Sequence, residues 1–165
     1  MQEEKIAPHF RYTVTCTAQD GTVRWTEDFT NLVTTAGKND LLTNYFKGAG
    51  YTAAWFVGLI ESTAYTGVAA GDTAASHPGW TECTAYAEAT RRTPTFGTAS
   101  AGALATSAAS AFTINATKTL KGSFVISNST KGGTTGVLYS AGLFTTGDRA
   151  VLSGDVVNVS ITMAA

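Results

Sequence analysis

Asp72, Ser76 and His77 put a carboxylate, a hydroxyl and an imidazole close together in this 165-residue chain. These are the residue types of a nucleophilic triad, in which the imidazole must sit between the other two and take the serine proton. Here all three lie too near one another in sequence for the roles to converge, and no Gly-x-Ser-x-Gly turn exposes the serine. A carboxylate pair for glycoside hydrolysis would have to come from Glu61, Asp72, Glu82 and Glu88, with an enclosing pocket around the general acid. His9 and His77 stand apart from each other and from Cys16 and Cys83, so no metal-ligand spacing is present. Asp148 and Asp155 each follow a glycine near a turn, where aspartate bonds its own backbone, and no ligand-rich calcium loop surrounds either. Lys131-Gly132-Gly133 lies between two strand-like runs with no helix start behind it, which makes it a hairpin turn and not a phosphate cradle. Asn115, Asn128 and Asn158 match the glycosylation pattern at the rate that a chain rich in Thr and Ser produces by chance. The expectation is a protein that is not an enzyme, with no catalytic residue, no cofactor and no metal.

Composition points the same way. Charged residues make up 14% of the chain, against roughly 25% in a soluble domain. Thr, Ser, Ala and Gly take their place. A surface of short neutral side chains loses little conformational entropy when another protein covers it. The net charge of −1 and the single basic pair, Arg91-Arg92, exclude a nucleic-acid footprint. Two cysteines are too few for a disulfide framework, and their spacing does not decide whether they bridge. No stretch reaches the roughly 18 apolar residues of a membrane span. MQEEKIAPHF lacks the apolar core of a signal peptide, which predicts synthesis in the cytoplasm.

The elements that would position these residues are mostly strands. FRYTVTCTA alternates with period two, Gln19-Asp20-Gly21 supplies a turn, and TVRWTEDF returns, giving a hairpin over residues 10–29 with Val23 and Trp25 on the core face. TTAGKNDLLTNYFKG is the one helix candidate, capped by Thr34 or Thr35 and closed by Gly48. Its Leu41, Leu42, Tyr45 and Phe46 form an apolar face expected to cover a sheet. AAWFVGLIE reads as a buried strand, and TECTAY and ATRRTPTF return to extended structure. Between them STAYTGVAAGDTAASHPGW is a long loop, with one helical turn expected from Asp72 to His77 and Trp80 either displayed or buried beneath the loop. GTASAGALATSAASA is a wide connection or a flat edge strand. Beyond it AFTINAT, TLKGSFVISN, GVLYSAGLF and VVNVSITM are all strand-like, the last with a clear half-buried alternation.

The count is about eight strands and one short α-helix near residues 35–47, a mainly-β chain of the β-sandwich or jelly-roll kind. Residues 1–9 are expected to form a flexible arm and residues 10–165 a single β-sandwich domain.

The succession WFVGLI, AAGDTAASHPGWTE and AYAEATRRTPTFG resembles small virion proteins of tailed bacteriophages. So does the later FTINAT, LKGSFVISNSTKGGTTGVLYSAGLF and SGDVVNVSITM, and the likeness covers residues 55–163. It is strongest to the capsid decoration, or cementing, proteins. That resemblance implies a jelly roll or related β-sandwich on the outside of the head; the expected protein is a homodimer or homotrimer that binds the major capsid protein and stabilises the shell. Virion location, on the capsid surface, is then expected, with neither nucleic acid nor membrane as a partner. The contact elements would be Glu3, Glu4, Lys5 and Ile6 of the arm and His77 and Trp80 of the loop. A tail, neck or fibre component of the same virion is the alternative. A carbohydrate-binding β-sandwich using Trp25, Trp55 and Trp80 comes third.

Overall fold

The computed structural model describes residues 8–47, 50 and 54–164. Its strands are β1 (His9–Thr17), β2 (Val23–Val33), β3 (Phe56–Glu61), β4 (Thr81–Cys83), β5 (Thr95–Phe96), β6 (Ala103–Ala108), β7 (Ser110–Thr113), β8 (Lys118–Ile126), β9 (Leu138–Leu143), β10 (Arg149–Val151) and β11 (Val156–Ala164). One helix, α1 (Thr35–Leu41), follows β2 and runs on into a π-helical turn, Leu42–Phe46. Among the described residues the protein is mainly β with one short helix, as its sequence predicts, but with eleven short strands instead of about eight. They hydrogen-bond in the order β4-β3-β8-β9-β2-β1-β11-β6-β5, with β10 added beside β8 and β7 beside β11. Every pairing is antiparallel. The sheet curls into a half-barrel.

Strand β2 makes the corner. Its residues up to Thr30 pair with β1, and its last three, Asn31, Leu32 and Val33, pair with β9. The two halves of the sheet therefore face each other across a shared core. Tyr12, Val14 and Cys16 of β1 and Val157, Val159 and Ile161 of β11 fill it from one side, with Val57, Leu59 and Leu120 opposite.

The first hairpin forms as the alternation requires, and Gly21 turns it with φ +87°. One detail differs. Val23 is 57% exposed and does not share the core face with Trp25. The ladder pairs Cys16 with Trp25 but Thr17 with Val23, so Arg24 is an extra residue that breaks the alternation. Arg24 reaches Asp155 at 2.9 Å.

The loop over residues 62–80 does not contain the expected helical turn. Thr73 and Ser76 exchange backbone hydrogen bonds in a tight turn. Asp72 caps nothing helical; its carboxylate accepts from the Ala69 backbone N–H and the Trp80 indole N–H, both at 2.9 Å. After β4 the chain is extended but scarcely paired: single bridges tie Thr90 to Thr130 and Arg92 to Val57. The small-residue segment supplies β6, a largely exposed strand that is not the edge itself, since it pairs with β11 on one side and the two-residue β5 on the other. Cys16 and Cys83 are both free and buried. Among the described residues no helix is long and apolar enough to cross a membrane.

Candidate protein-docking face

Thr34 starts the helix. Its hydroxyl accepts from Gly37 N–H at 3.0 Å and donates to the carbonyl of Leu138, while its own N–H bonds Tyr139 O at 2.9 Å. The cap thus fastens the helix to β9 as well as satisfying its first turn. Gly37 allows the contact, since a Cβ there would lie 2.5 Å from Tyr139 O. It is the one buried residue of α1. From the other side the Ala70 carbonyl of the long loop accepts from Thr35 N–H at 2.8 Å.

The helix is held by its beginning, and its later turns are left outside. The π-helical turn contains no buried residue. Leu42, Tyr45 and Phe46 are 56%, 78% and 71% exposed, with the two rings in edge contact at 4.9 Å. The expectation that this apolar face covers a sheet is therefore wrong. The helix is fastened to β9 through its first turn and passes into a wider π-helical turn as it leaves. Three large apolar side chains are thus left together on one exposed turn. Beside them a cleft of 320 Å³ opens between the helix and the ends of β1, β9 and β11. Phe10, Leu41, Trp55, Tyr139 and Met163 line it, with Asp40 and Asn44 as its polar members. Asn44 donates to Asp40 at 2.8 Å.

Of the contact residues expected from the sequence, His77 and Trp80 are among the described residues. Glu3, Glu4, Lys5 and Ile6 fall outside the described residues, as does Gly48, the expected helix stop. Trp80 is 4% exposed. Its ring lies 5.2 Å from Phe124 and 4.0 Å from His77, stacked on the latter, and its indole N–H is held by Asp72. Of the two readings of Trp80, displayed or buried beneath its loop, the buried one holds. His77 is half-buried, with Nδ1 bonded to the Trp80 carbonyl at 2.9 Å, so only its outer edge is offered to a neighbour.

The residues with chemical potential are each engaged separately. Asp72 and His77 both turn to Trp80. Glu61 meets Lys118 and Glu88 accepts from Thr113 N–H. Glu82 forms a buried two-pronged pair with Arg91 at 2.9 and 2.8 Å, and Arg91 also donates to the carbonyls of Asn128 and Gly133. Asp155 does bond its own turn, through Leu152 N–H at 2.9 Å. It also accepts from the Cys16 thiol, whose pKa burial, with that carboxylate beside it, pushes up to about 12. Among the described residues no three His, Cys, Asp or Glu side chains gather as a metal site.

The Glu82–Arg91 pair was invisible beforehand, because Arg91 reads as half of a basic dipeptide until the fold brings Glu82 to it. The exposed helix face was visible, but its pattern looks the same whether the covering surface belongs to this chain or to another. No protein-family model matches the chain, and no curated protein matches it.

Proposed function

We propose that this chain is a structural protein that acts by lying against other protein, and that it serves as a decoration protein on the head of a tailed bacteriophage. The observation that carries the reading is the exposed trio Leu42, Tyr45 and Phe46 beside an apolar cleft. The chain as a whole is sparsely charged, at 14%, and a surface of short neutral side chains costs little to cover. The arrangement suits docking on the major capsid protein, with a second or third copy of the chain alongside. We read the curled sheet as a β-sandwich of jelly-roll kind, since its two halves contribute facing side chains to one core.

The test is addition of the purified chain to empty, expanded heads of the virus that encodes it, followed by sedimentation. A Leu42→Ser/Tyr45→Ser/Phe46→Ser variant should lose at least about tenfold in affinity, as removal of apolar anchors does at interfaces. Equal occupancy by the variant would reject the trio as the docking element. Binding to tails or necks and not to heads would move the protein to the alternative station in the virion.

A further inference from the structure

The start of α1 is completed by a distant part of the chain. A helix leaves its first N–H groups without partners inside itself. Thr34 serves Gly37 N–H through its hydroxyl at 3.0 Å. The N–H of Thr35, the first helical residue, goes instead to the Ala70 carbonyl of the long loop at 2.8 Å.

Ala70 lies inside a turn that Asp72 closes from both ends. The Asp72 N–H donates to Ala69 O at 3.0 Å, and the Asp72 carboxylate accepts from Ala69 N–H at 2.9 Å. The same carboxylate oxygen accepts the Trp80 indole N–H, so the aim of the Ala70 carbonyl and the seat of Trp80 share one anchor. The loop also has a neck. The N–H groups of Thr66 and Gly67 both bond Gly79 O, at 2.8 and 3.2 Å, and a Cβ on Gly79 would lie 2.1 Å from Gly67 O. Residues 67–79 are thus a compact lobe closed at its base, in the manner of an Ω-loop.

Loop and helix each bury little. Between Ser62 and Trp80 the buried residues are Asp72, Ala74 and Trp80, and in α1 only Gly37. Segments with few buried contacts open at lower free energy than core strands, and they open in contiguous cooperative units.

We infer that residues 66–80 and α1 open and close as one unit, and that Asp72 holds the unit shut and so positions the helix. Leu42, Tyr45 and Phe46 lie on the π-helical turn that continues α1. A partner seated on them draws the loop closed, and an open loop weakens that seat by the same factor. This consequence for docking rests on the function proposed above. The coupling of loop to helix does not.

The experiment perturbs the unit from each side in the full chain and reads hydrogen exchange by NMR. Asp72→Ala removes the anchor in the loop, and the Gly37 and Lys38 amides should then exchange at least about fivefold faster. Asp72→Asn, which keeps an acceptor oxygen, should restore most of their protection. Thr35→Pro removes the tie from the helix side. Proline suits the first helical position, and Thr34, at φ −69° and ψ 160°, already has the extended form that precedes a proline. The Ala69 amide and the Trp80 indole N–H should then exchange faster by a similar factor. The Val14 and Val159 amides of the main core should keep their rates in every variant. Unchanged exchange on the unperturbed side in either variant, or an equal loss at Val14 and Val159, would overturn the proposal. A second arm adds the variants to empty heads. Asp72→Ala should lose at least about threefold in affinity with the trio intact, and Asp72→Asn should regain it. Full binding by Asp72→Ala would refute its hold on docking. If the unaltered chain ignores heads while the exchange results stand, the docking function falls and the coupled unit survives.

Discussion

Burial runs differently through the two halves of the sheet. In β1 and through most of β11 it alternates strictly, with one face in the core and the other turned to water. From Gly122 to Ile126 in β8 and from Leu138 to Gly142 in β9, every residue is buried. The reason is a second cover. On the face away from the main core, Ile60, Phe124, Ile126 and Leu138 pack against Ala74 and Trp80, with Tyr65 and Val68 partly buried beside them. All four of the covering residues belong to the long polar loop. A loop rich in Gly, Ser and Thr thus acts as a packing layer through a few apolar side chains, held by the bond from Trp80 to Asp72. The lesson is that a continuous apolar run reports two covered faces, whatever supplies the second cover. The β1/β11 half keeps its outer face wet with Thr, Ser and Asn.

The largest effect should follow from removing that second cover. Trp80→Ala should cost about 3–5 kcal/mol of unfolding free energy, the range for deleting a buried aromatic, measured by denaturant titration. Limited proteolysis should then cut within residues 62–79. A loss below about 1 kcal/mol would show that the loop merely rests on the strands.

Next comes the seam where the halves meet. Glu27 of β2 is buried and accepts from Thr146 and Arg149, so it ties one half to β10 of the other. Trp25 makes the neighbouring link, to Ala150 O at 3.0 Å. Burial pushes the Glu27 pKa up, but the bonds from Thr146 and Arg149 outweigh it, and the net shift is downward from 4.5. A depressed carboxylate pKa contributes stability that is present above the unfolded value and is lost as pH falls through the folded one. Stability should therefore decline in acid below about pH 4.5. Glu27→Gln should cost about 1.5–3 kcal/mol at neutral pH and flatten that decline. An unchanged acid slope in the variant would assign the decline to other carboxylates.

Smaller again is Thr34→Ala, which removes the helix cap and its tie to β9, at about 1 kcal/mol. Circular dichroism should show loss of helix with the strands retained. Smallest is Thr15→Val on the wet face, where the hydroxyl only meets Thr26 at 3.2 Å in solvent. A change within about 0.5 kcal/mol is expected. A larger cost would mean that this half too has an outer face under load.

Much of the one-sided half was legible beforehand. The hairpin, its Gly21 turn and the alternation of Val157, Val159 and Ile161 follow from period two, because each such strand needs one wet and one dry face. The bulge at Arg24 was not legible, since one inserted residue leaves the local pattern unchanged and appears only in the pairing with β1. At the end of the helix the apolar pattern was legible, but the exposure of Leu42, Tyr45 and Phe46 was not. Leu42, Tyr45 and Phe46 declare a surface that prefers cover. They do not say whose.

What the amino-acid order determined alone was local: which runs extend, where Thr34 begins a helix, where glycine turns the chain. Such features depend on backbone sterics and on neighbours within a few residues. Only tertiary structure decided that the polar loop roofs β3, β8 and β9, that Arg91 finds Glu82, and that the helix leaves the sheet with its apolar side bare. Those outcomes turn on which distant surfaces fit together and on how much room remains, quantities that no short window of sequence contains.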